Sequence, residues 1–199
     1  MNAKTDKTET IASQTVNAAA PAPALEAMLA THPFFKGMSP QHLQVLADCA
    51  LHTTFEARQM IFQEGDWANR FYLILKGEVA LETSVKEGGI IPIQTLGGGD
   101  VLGWSWLFPP YYWHFDARAV SATETVFFYG TRLRERCEED HDLGYELIKR
   151  MAHVVIRRLQ ATRRQLVAST KKRISLDRQT GMSEMGDNKQ QVPKSRRQL

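Results

Sequence analysis

The densest group of side chains that could bind a molecule lies in residues 104–115, which read Trp-Ser-Trp-Leu-Phe-Pro-Pro-Tyr-Tyr-Trp-His-Phe. Seven of these twelve residues are aromatic, and the segment holds three of the four tryptophans. Aromatic rings can stack on a planar or apolar molecule, with Ser105 and His114 as polar contacts. Two other interpretations stay open: Trp104 or Trp113 fills the interior and leaves no room for a ligand, or the rings form a docking patch for a partner protein.

The remaining reactive residues show no spacing typical of an enzyme or a metal centre. The six histidines lack H-x-H and H-E-x-x-H spacing, and Cys49 and Cys137 lie far apart. His114 and Asp116 are predicted to share one face of a strand, where they could pair, but a lone pair favours acid–base catalysis only weakly. We therefore expect no catalytic residue, no metal ligand and no enzymatic activity. Haem ligation by a His or Cys stays open.

Composition points to a soluble protein with an uneven charge. No apolar run approaches the roughly 18–20 residues that span a bilayer, and residues 1–15 lack the apolar core of a signal peptide. We expect a cytoplasmic protein without membrane contact. Residues 1–148 hold 11 basic and 19 acidic residues, a net charge of −8, and residues 149–199 hold 14 and 3, a net charge of +11. A basic segment of this kind suggests an electrostatic partner of its own.

Short runs typical of β-strands occupy residues 51–130, separated by glycine-containing turns. The runs are Gln59–Gln63, Phe71–Leu75, Glu78–Thr83, Ile90–Leu96, Ala117–Ser121 and Thr125–Tyr129. Many short strands with a turn about every 10 residues predict an antiparallel sandwich or barrel. We expect Leu73, Leu75, Val79 and Leu81 to fill its core, and Gly65, Gly77 and Gly99 to adopt positive φ in tight turns.

Helical patterns flank the strands. A disordered arm is predicted for residues 1–22, followed by a short helix and a second helix capped by Ser39 with Pro40 at its first position. A long helix, residues 140–168, carries one narrow apolar stripe, for which we predict a homodimer interface in coiled-coil fashion. The interface residues would be Leu143, Leu147, Met151, Val154, Val155 and Leu159. The alternative is that the stripe packs on the sandwich of its own chain. Residues 169–199 are predicted to be a basic disordered tail.

Four motifs in order resemble the cyclic-nucleotide-binding domain of the Crp–Fnr regulator superfamily. They are His32-Pro33-Phe34-Phe35, Ile61-Phe62-Gln63-Glu64-Gly65-Asp66, Phe71 through Val79, and Gly99-Asp100-Val101-Leu102-Gly103. The resemblance covers about residues 30–168. It implies a mainly β fold, a double-stranded β-helix (jelly-roll) sandwich with a short N-terminal helix and a long C-terminal dimerisation helix, so that residues 23–168 form one domain.

The resemblance also implies a ligand site, the phosphate-binding cassette, which we place at residues 99–116. Backbone amides at the start of a short helix hold the phosphate in that family, a Glu follows the second Gly, and an Arg lies about ten residues later. Trp104 stands in place of the Glu, and neither Trp113 nor His114 supplies the Arg. No Lys or Arg occurs between Lys86 and Arg118. Ordinary binding of a cyclic nucleotide is therefore doubtful, and the candidate binding residues are Gly99, Asp100, Leu102, Gly103, Trp104, Ser105, Trp113 and His114.

The sequence thus predicts a non-enzymatic regulatory or sensor module, homodimeric, with a degenerate cassette. This cassette would bind a non-standard ligand, a partner protein at the aromatic segment, or nothing. No cofactor is certain, although a cyclic nucleotide or another small ligand stays open. Only 31 residues follow Ala168, so we expect no helix-turn-helix and no sequence-specific DNA binding. The alternative is a binder of nucleic acid or an acidic partner that acts through the basic tail, with the sandwich as a dimer scaffold.

Overall fold

The computed structural model describes residues 22–85 and 88–186. Four helices are present in these ranges: α1 (Ala22–Thr31), α2 (Pro40–Ala47), α3 (Gly130–Glu139) and α4 (His141–Gly186). The eight strands are β1 (Ala50–Phe55), β2 (Met60–Phe62), β3 (Arg70–Lys76), β4 (Glu78–Val85), β5 (Gly89–Gly97), β6 (Val101–Leu102), β7 (Asp116–Ala119) and β8 (Thr123–Tyr129). Short 3₁₀ turns occupy Pro33–Phe35 and Trp104–Leu107.

The strands form an antiparallel sandwich of two four-stranded sheets, in the orders β1-β8-β3-β6 and β2-β7-β4-β5. The predicted sandwich is confirmed. All six predicted strands occur, and the pattern missed β1 and the two-residue β6. The term "mainly β" is loose for the described chain, because α4 alone has 46 residues.

Strand β3 explains how the core is built. Its run Phe71-Tyr72-Leu73-Ile74 is buried on both faces. Phe71 and Leu73 face a cluster shared with the helices, whereas Tyr72 and Ile74 face the space between the sheets. Of the residues predicted for the sandwich core, Val79 and Leu81 lie between the sheets, but Leu73 and Leu75 pack on the helical side. Side chains alternate across a strand, so a strand covered on both faces becomes a continuous apolar run.

The predicted start of α2 and the turn glycines are confirmed. Ser39 caps α2 by accepting a hydrogen bond from the His42 amide at 3.2 Å, and Pro40 is the first helical residue. Gly65, Gly77 and Gly99 have φ of 84°, 93° and 90°.

Four of the six predicted dimer residues are core residues of their own chain. Leu143, Leu147, Met151 and Val154 are 0–4% exposed and belong to the cluster between the sheet and the helices. Residues buried within one chain add little to a contact with a second copy, so their assignment to a dimer interface is wrong. The alternative, packing on the chain's own sandwich, holds for them. Val155 and Leu159 are exposed.

Helix α4 continues to Gly186, well beyond the boundary predicted at residue 168. Residues 169–186, predicted to be disordered, are therefore helical in the structure. The prediction used only their polarity; Lys, Arg, Leu, Met and Glu are good helix formers and this segment contains no Pro. Helix α1 begins at Ala22, one residue inside the predicted arm. The rest of that arm and residues 187–199 of the predicted tail lie outside the described residues.

The chain divides into two compact units between Val154 and Val155. The first contains the sandwich and the start of α4, and the described part of the second is the remainder of α4, residues 155–186.

Within the described ranges, none of the helices combines the length and the apolarity needed to cross a membrane.

Candidate functional site

The backbone of the cassette, residues 99–116, follows the Gly-rich pattern of its sequence. Gly99 donates its N–H to the Ile74 carbonyl at 2.8 Å, and the Asp100 carboxylate accepts the Gly97 N–H at 3.0 Å. Leu102 is buried between the sheets beside Tyr72. Gly103 then adopts φ of 87° and precedes the 3₁₀ turn Trp104–Leu107. A Gly-rich turn before a helical turn is present, as the sequence predicts.

Trp113 occupies the space in front of this turn. Its ring lies so close to Gly103 that a Cβ on Gly103 would lie 2.8 Å from ring carbons. The ring stacks on Phe62 with 3.8 Å between centroids and an interplanar angle of 11°, and Trp113 is 5% exposed. An indole ring of this chain therefore packs against the glycine that precedes the helical turn.

Ser105 and His114 bind each other. The Ser105 hydroxyl and His114 Nδ1 are 3.0 Å apart, with Ser105 buried and His114 exposed. The predicted pairing of His114 with Asp116 is wrong, because His114 lies before β7 and turns to Ser105. The Asp116 carboxylate instead accepts the Glu64 N–H at 2.8 Å and the Ser84 hydroxyl at 3.3 Å.

Trp104 lies on the other side of the turn from the sheet interior. It is half-buried, packs against the helical-side core cluster, and stacks on the His114 ring at 5.1 Å between centroids. Of the two tryptophans considered as fillers of the pocket, Trp113 is the one that contacts both Phe62 and Gly103. The exposed aromatic side chains at this end of the sandwich are Trp67, Phe108 and Tyr112.

Two contacts that hold the aromatic segment in place were not predicted. Arg134 of α3 donates to the Trp106 carbonyl at 2.6 Å, and its guanidinium lies 4.4 Å above the Tyr111 ring. Backbone hydrogen bonds also join the segment to the turn at residues 65–68: Gly65 donates to the Trp113 carbonyl at 2.9 Å, and Trp113 donates to the Asp66 carbonyl at 2.9 Å. Nothing in the sequence marks Arg134, whereas Phe62 lies inside a motif and could have been examined as a partner for an aromatic ring.

The groove beside the cassette is lined by charges that are unfavourable for an anion. An open groove of about 550 Å³ beside it is lined by Gln63, Glu64, Gly65, Asp66, Ser84 and Asp116. Three of these side chains are carboxylates. Arg118 lies on β7, as predicted, where it pairs with Glu82 at 3.2 Å. Among the described residues, no group of three or more His, Cys, Asp and Glu is arranged to hold a metal ion.

Comparison with known proteins supports the fold and the family. Residues 52–140 match the family model of the cyclic nucleotide-binding domain. A protein of Geobacter metallireducens described as a cyclic nucleotide-binding protein is 28% identical; the alignment covers 70% of this chain and 98% of that protein, with a TM-score of 0.61. No curated protein sequence matches the chain.

Two more distant structures share the fold. A cyclic nucleotide-binding domain from Methylobacillus flagellatus is 17% identical over 74% of this chain and 83% of that domain, with a TM-score of 0.64. The N-terminal domain of a transcriptional regulator from Streptomyces coelicolor is 20% identical over 70% of this chain and 94% of that domain, with a TM-score of 0.55. After the last strand, the described part of this chain contains α3 and the long helix α4, and no helix-turn-helix follows α4 within it. Residues 52–140 therefore match the cyclic nucleotide-binding domain family, which confirms the resemblance predicted from the motifs.

Proposed function

We propose that this chain is a non-enzymatic regulatory module of the cytoplasm whose cassette is closed by its own Trp113. Domains of this family are generally regulatory. The observation that carries the proposal is the position of the Trp113 ring, stacked on Phe62 and in contact with Gly103. A cyclic nucleotide would have to displace this ring before its phosphate reached the amides of the turn.

The electrostatics support the same conclusion. A bound phosphate needs a cation or several amides, and a buried anion without them is unfavourable by several kcal/mol. The cassette supplies no Lys or Arg from its own segment, and Glu64, Asp66 and Asp116 line the adjacent groove. We therefore expect neither cyclic AMP nor cyclic GMP to be its ligand.

A module whose cassette binds no nucleotide must signal through another surface, and the exposed aromatic side chains provide one. Trp67 and Tyr112 pack edge to face at 5.2 Å between centroids, and Trp67 is 56% exposed. Tryptophan and tyrosine dominate the binding energy of protein interfaces. We propose that a partner protein docks on the surface formed by Trp67, Phe108 and Tyr112.

The module is proposed to be a homodimer that pairs through the second unit. Leu159 and Leu166 are 68% and 66% exposed, and Val155 lies on the same side of α4 at helical spacing. Such a stripe suits pairing with a like helix. Val155 and Leu159 keep the role predicted for them, and Leu166 replaces the buried residues.

Calorimetry tests the closed cassette. We expect no saturable heat when the purified protein is titrated with cyclic AMP or cyclic GMP at about 100 µM, because ordinary binding in the micromolar range would be visible there. A clear saturable isotherm with either nucleotide would refute the proposal.

A second candidate function is the binding of a polyanion through basic residues near the C-terminus. One observation favours it: α4 continues through Lys171, Lys172 and Arg173 and keeps them on an exposed helix. Deletion of residues 169–199 separates the two candidates, since the first predicts that partner binding is unchanged and the second predicts that polyanion binding becomes weaker.

A further inference from the structure

The described part of the second unit, residues 155–186, is rich in basic residues. From residue 147 to residue 176 the chain contains no Asp or Glu. Within the helical segment 155–175, six basic residues are exposed: Arg157, Arg163, Arg164, Lys171, Lys172 and Arg173. The segment itself contains no acidic residue for the i,i+4 ion pairs that usually balance such a charge. An uncompensated positive helix of this kind attracts a polyanion.

Three of the exposed basic residues lie opposite the stripe proposed for pairing. Arg157, Arg164 and Lys171 are seven residues apart, which is nearly two turns, so they lie along one line of α4. Val155, Leu159 and Leu166 lie about half a turn away, on the opposite side. The helix can therefore pair through its apolar side and still present the line of three cations outward.

We propose that residues 155–175 of α4 bind the phosphate backbone of double-stranded DNA without reading its sequence. Arginine guanidinium groups bind phosphate in bidentate fashion. A 21-residue helix is about 31 Å long, close to one turn of B-form DNA at roughly 34 Å. The exposed side chains here are basic, aliphatic or uncharged and polar. We assign the contact to the positive charge of the segment, which acts on phosphates whatever the base sequence.

Two other polyanions fit this helix less well. If the stripe of Val155, Leu159 and Leu166 contacted a bilayer surface, Arg157, Arg164 and Lys171 would point away from the lipid headgroups. Double-stranded RNA has a deep and narrow major groove that excludes a helix, whereas the major groove of DNA, about 12 Å wide, accepts one. The inference rests on the second candidate function and names its partner.

The test uses the full chain and a fluorescent DNA duplex of mixed sequence, about 25 base pairs long, followed by anisotropy from about 50 to 200 mM salt. We expect binding that weakens steeply with salt. The variant Arg157→Gln/Arg164→Gln/Lys171→Gln should bind at least about tenfold more weakly near 100 mM salt, with a slope of log K against log salt reduced by about 2 to 3.

A matched control removes the same charge from the first unit. Lys36, Lys76 and Arg132 are exposed there, and Lys36→Gln/Lys76→Gln/Arg132→Gln should bind DNA as the unchanged protein does. Circular dichroism confirms that both variants remain folded. An equal loss in the control would overturn the proposal, because net charge alone would then explain the binding.

Two further probes separate the partners. Vesicles containing anionic phosphatidylglycerol and a double-stranded RNA of the same length replace the DNA in parallel titrations. Binding of either that equals or exceeds the binding of DNA would overturn the inference while leaving the second candidate function in place. Failure of all three probes to bind at low salt would overturn both.

Discussion

At the scale of single residues, Gly103 and Trp113 depend on each other. Gly103 has φ of 87°, which favours glycine, and its missing side chain leaves the space that the Trp113 ring occupies. Gly65 has φ of 84° but open space where a Cβ would lie. The two glycines therefore separate backbone strain, which both share, from the close contacts with the Trp113 ring and the Arg70 carbonyl, which only Gly103 makes.

We predict that Gly103→Ala lowers the free energy of unfolding by about 1–3 kcal/mol more than Gly65→Ala does, because the new methyl group collides with a packed ring. Urea denaturation of both variants measures the difference. When Trp113 is also replaced by Ala, the difference in unfolding free energy between Gly103→Ala and Gly65→Ala should become smaller by about 0.5–3 kcal/mol. This is the range of coupling energies typical of residues in contact. A difference that is unchanged in that background would show that the Arg70 carbonyl, 3.0 Å from the same position, and not the ring opposes the new methyl group.

The sequence predicted the glycine turn, but it did not predict that the Trp113 ring packs against this turn. Gly99 and Gly103 belong to a local motif whose conformation depends on adjacent residues. Trp113 meets Phe62 and Gly103 only after β2 and the turn at 65–68 are in place, and Arg134 comes from a helix further along the chain. Contacts between residues far apart in sequence leave no local pattern, so the sequence left three interpretations of the aromatic segment open.

His32 is a second residue whose environment makes a prediction. It is buried, its Nδ1 accepts the Phe34 N–H at 3.2 Å, and its Nε2 lies 3.4 Å from the Ile74 carbonyl. Burial lowers the pKa of His32, and the hydrogen bond to Ile74 and the charge of Asp100 offset only part of this effect. The Ile74 carbonyl also accepts the Gly99 N–H, so His32 connects the N-terminal helical segment to the start of the cassette.

Acid should destabilise the protein through His32. Because the pKa is lower in the folded chain, the unfolded chain binds the proton more readily. The contribution of neutral His32 is therefore complete above about pH 6.5, the ordinary value for histidine, and is lost as the pH falls from there toward the folded-state pKa. Urea denaturation at pH 7.5 and pH 5, both chosen around that value, should show a smaller loss of stability for His32→Gln than for the unchanged protein.

Exposed His141 provides the control for this measurement. His141→Gln should leave the difference between the two pH values as it is in the unchanged protein. If His32→Gln and His141→Gln change the pH dependence equally, the buried environment of His32 is not responsible for it.

At the scale of elements, the strands were more predictable than the partner of a helix face. The apolar run of β3 and the turns around it are local signals, and all six predicted strands occur. The sequence of α4 showed how its apolar residues are spaced, but it did not show which surface they pack against. Leu143 through Val154 meet the chain's own core, and the stripe becomes exposed only beyond Val154.

The exposed part of the stripe carries the prediction for assembly. Leu159→Glu/Leu166→Glu should yield a monomer of 22.6 kDa by light scattering, because two charges on the stripe oppose burial against a second helix. The residues Ala161 and Ala168 have the same seven-residue spacing on another side of α4. Ala161→Glu/Ala168→Glu should therefore remain dimeric. If both variants have the mass of the unchanged protein, the stripe is not the interface.

At the scale of the whole molecule, the net charge of +3 combines two parts of opposite sign. The acidic part contains the sandwich, and carboxylates line the groove beside the cassette. The cassette contains the Trp113 ring rather than a cation that would pair with an anion. The basic part contains the exposed half of α4, on which we place both pairing and DNA binding. We propose that this fold keeps the glycine turn of the cassette but does not bind a cyclic nucleotide there.

The most direct test of the closed cassette is a crystal structure of the protein grown with millimolar cyclic AMP, a concentration well above ordinary binding constants of the order of 1 µM. The quantity to measure is the position of the Trp113 ring. We predict that it remains stacked on Phe62 and in contact with Gly103, with no nucleotide at the amides of residues 103–105. A cyclic phosphate bound to those amides, with the Trp113 ring moved away from Phe62, would contradict the account.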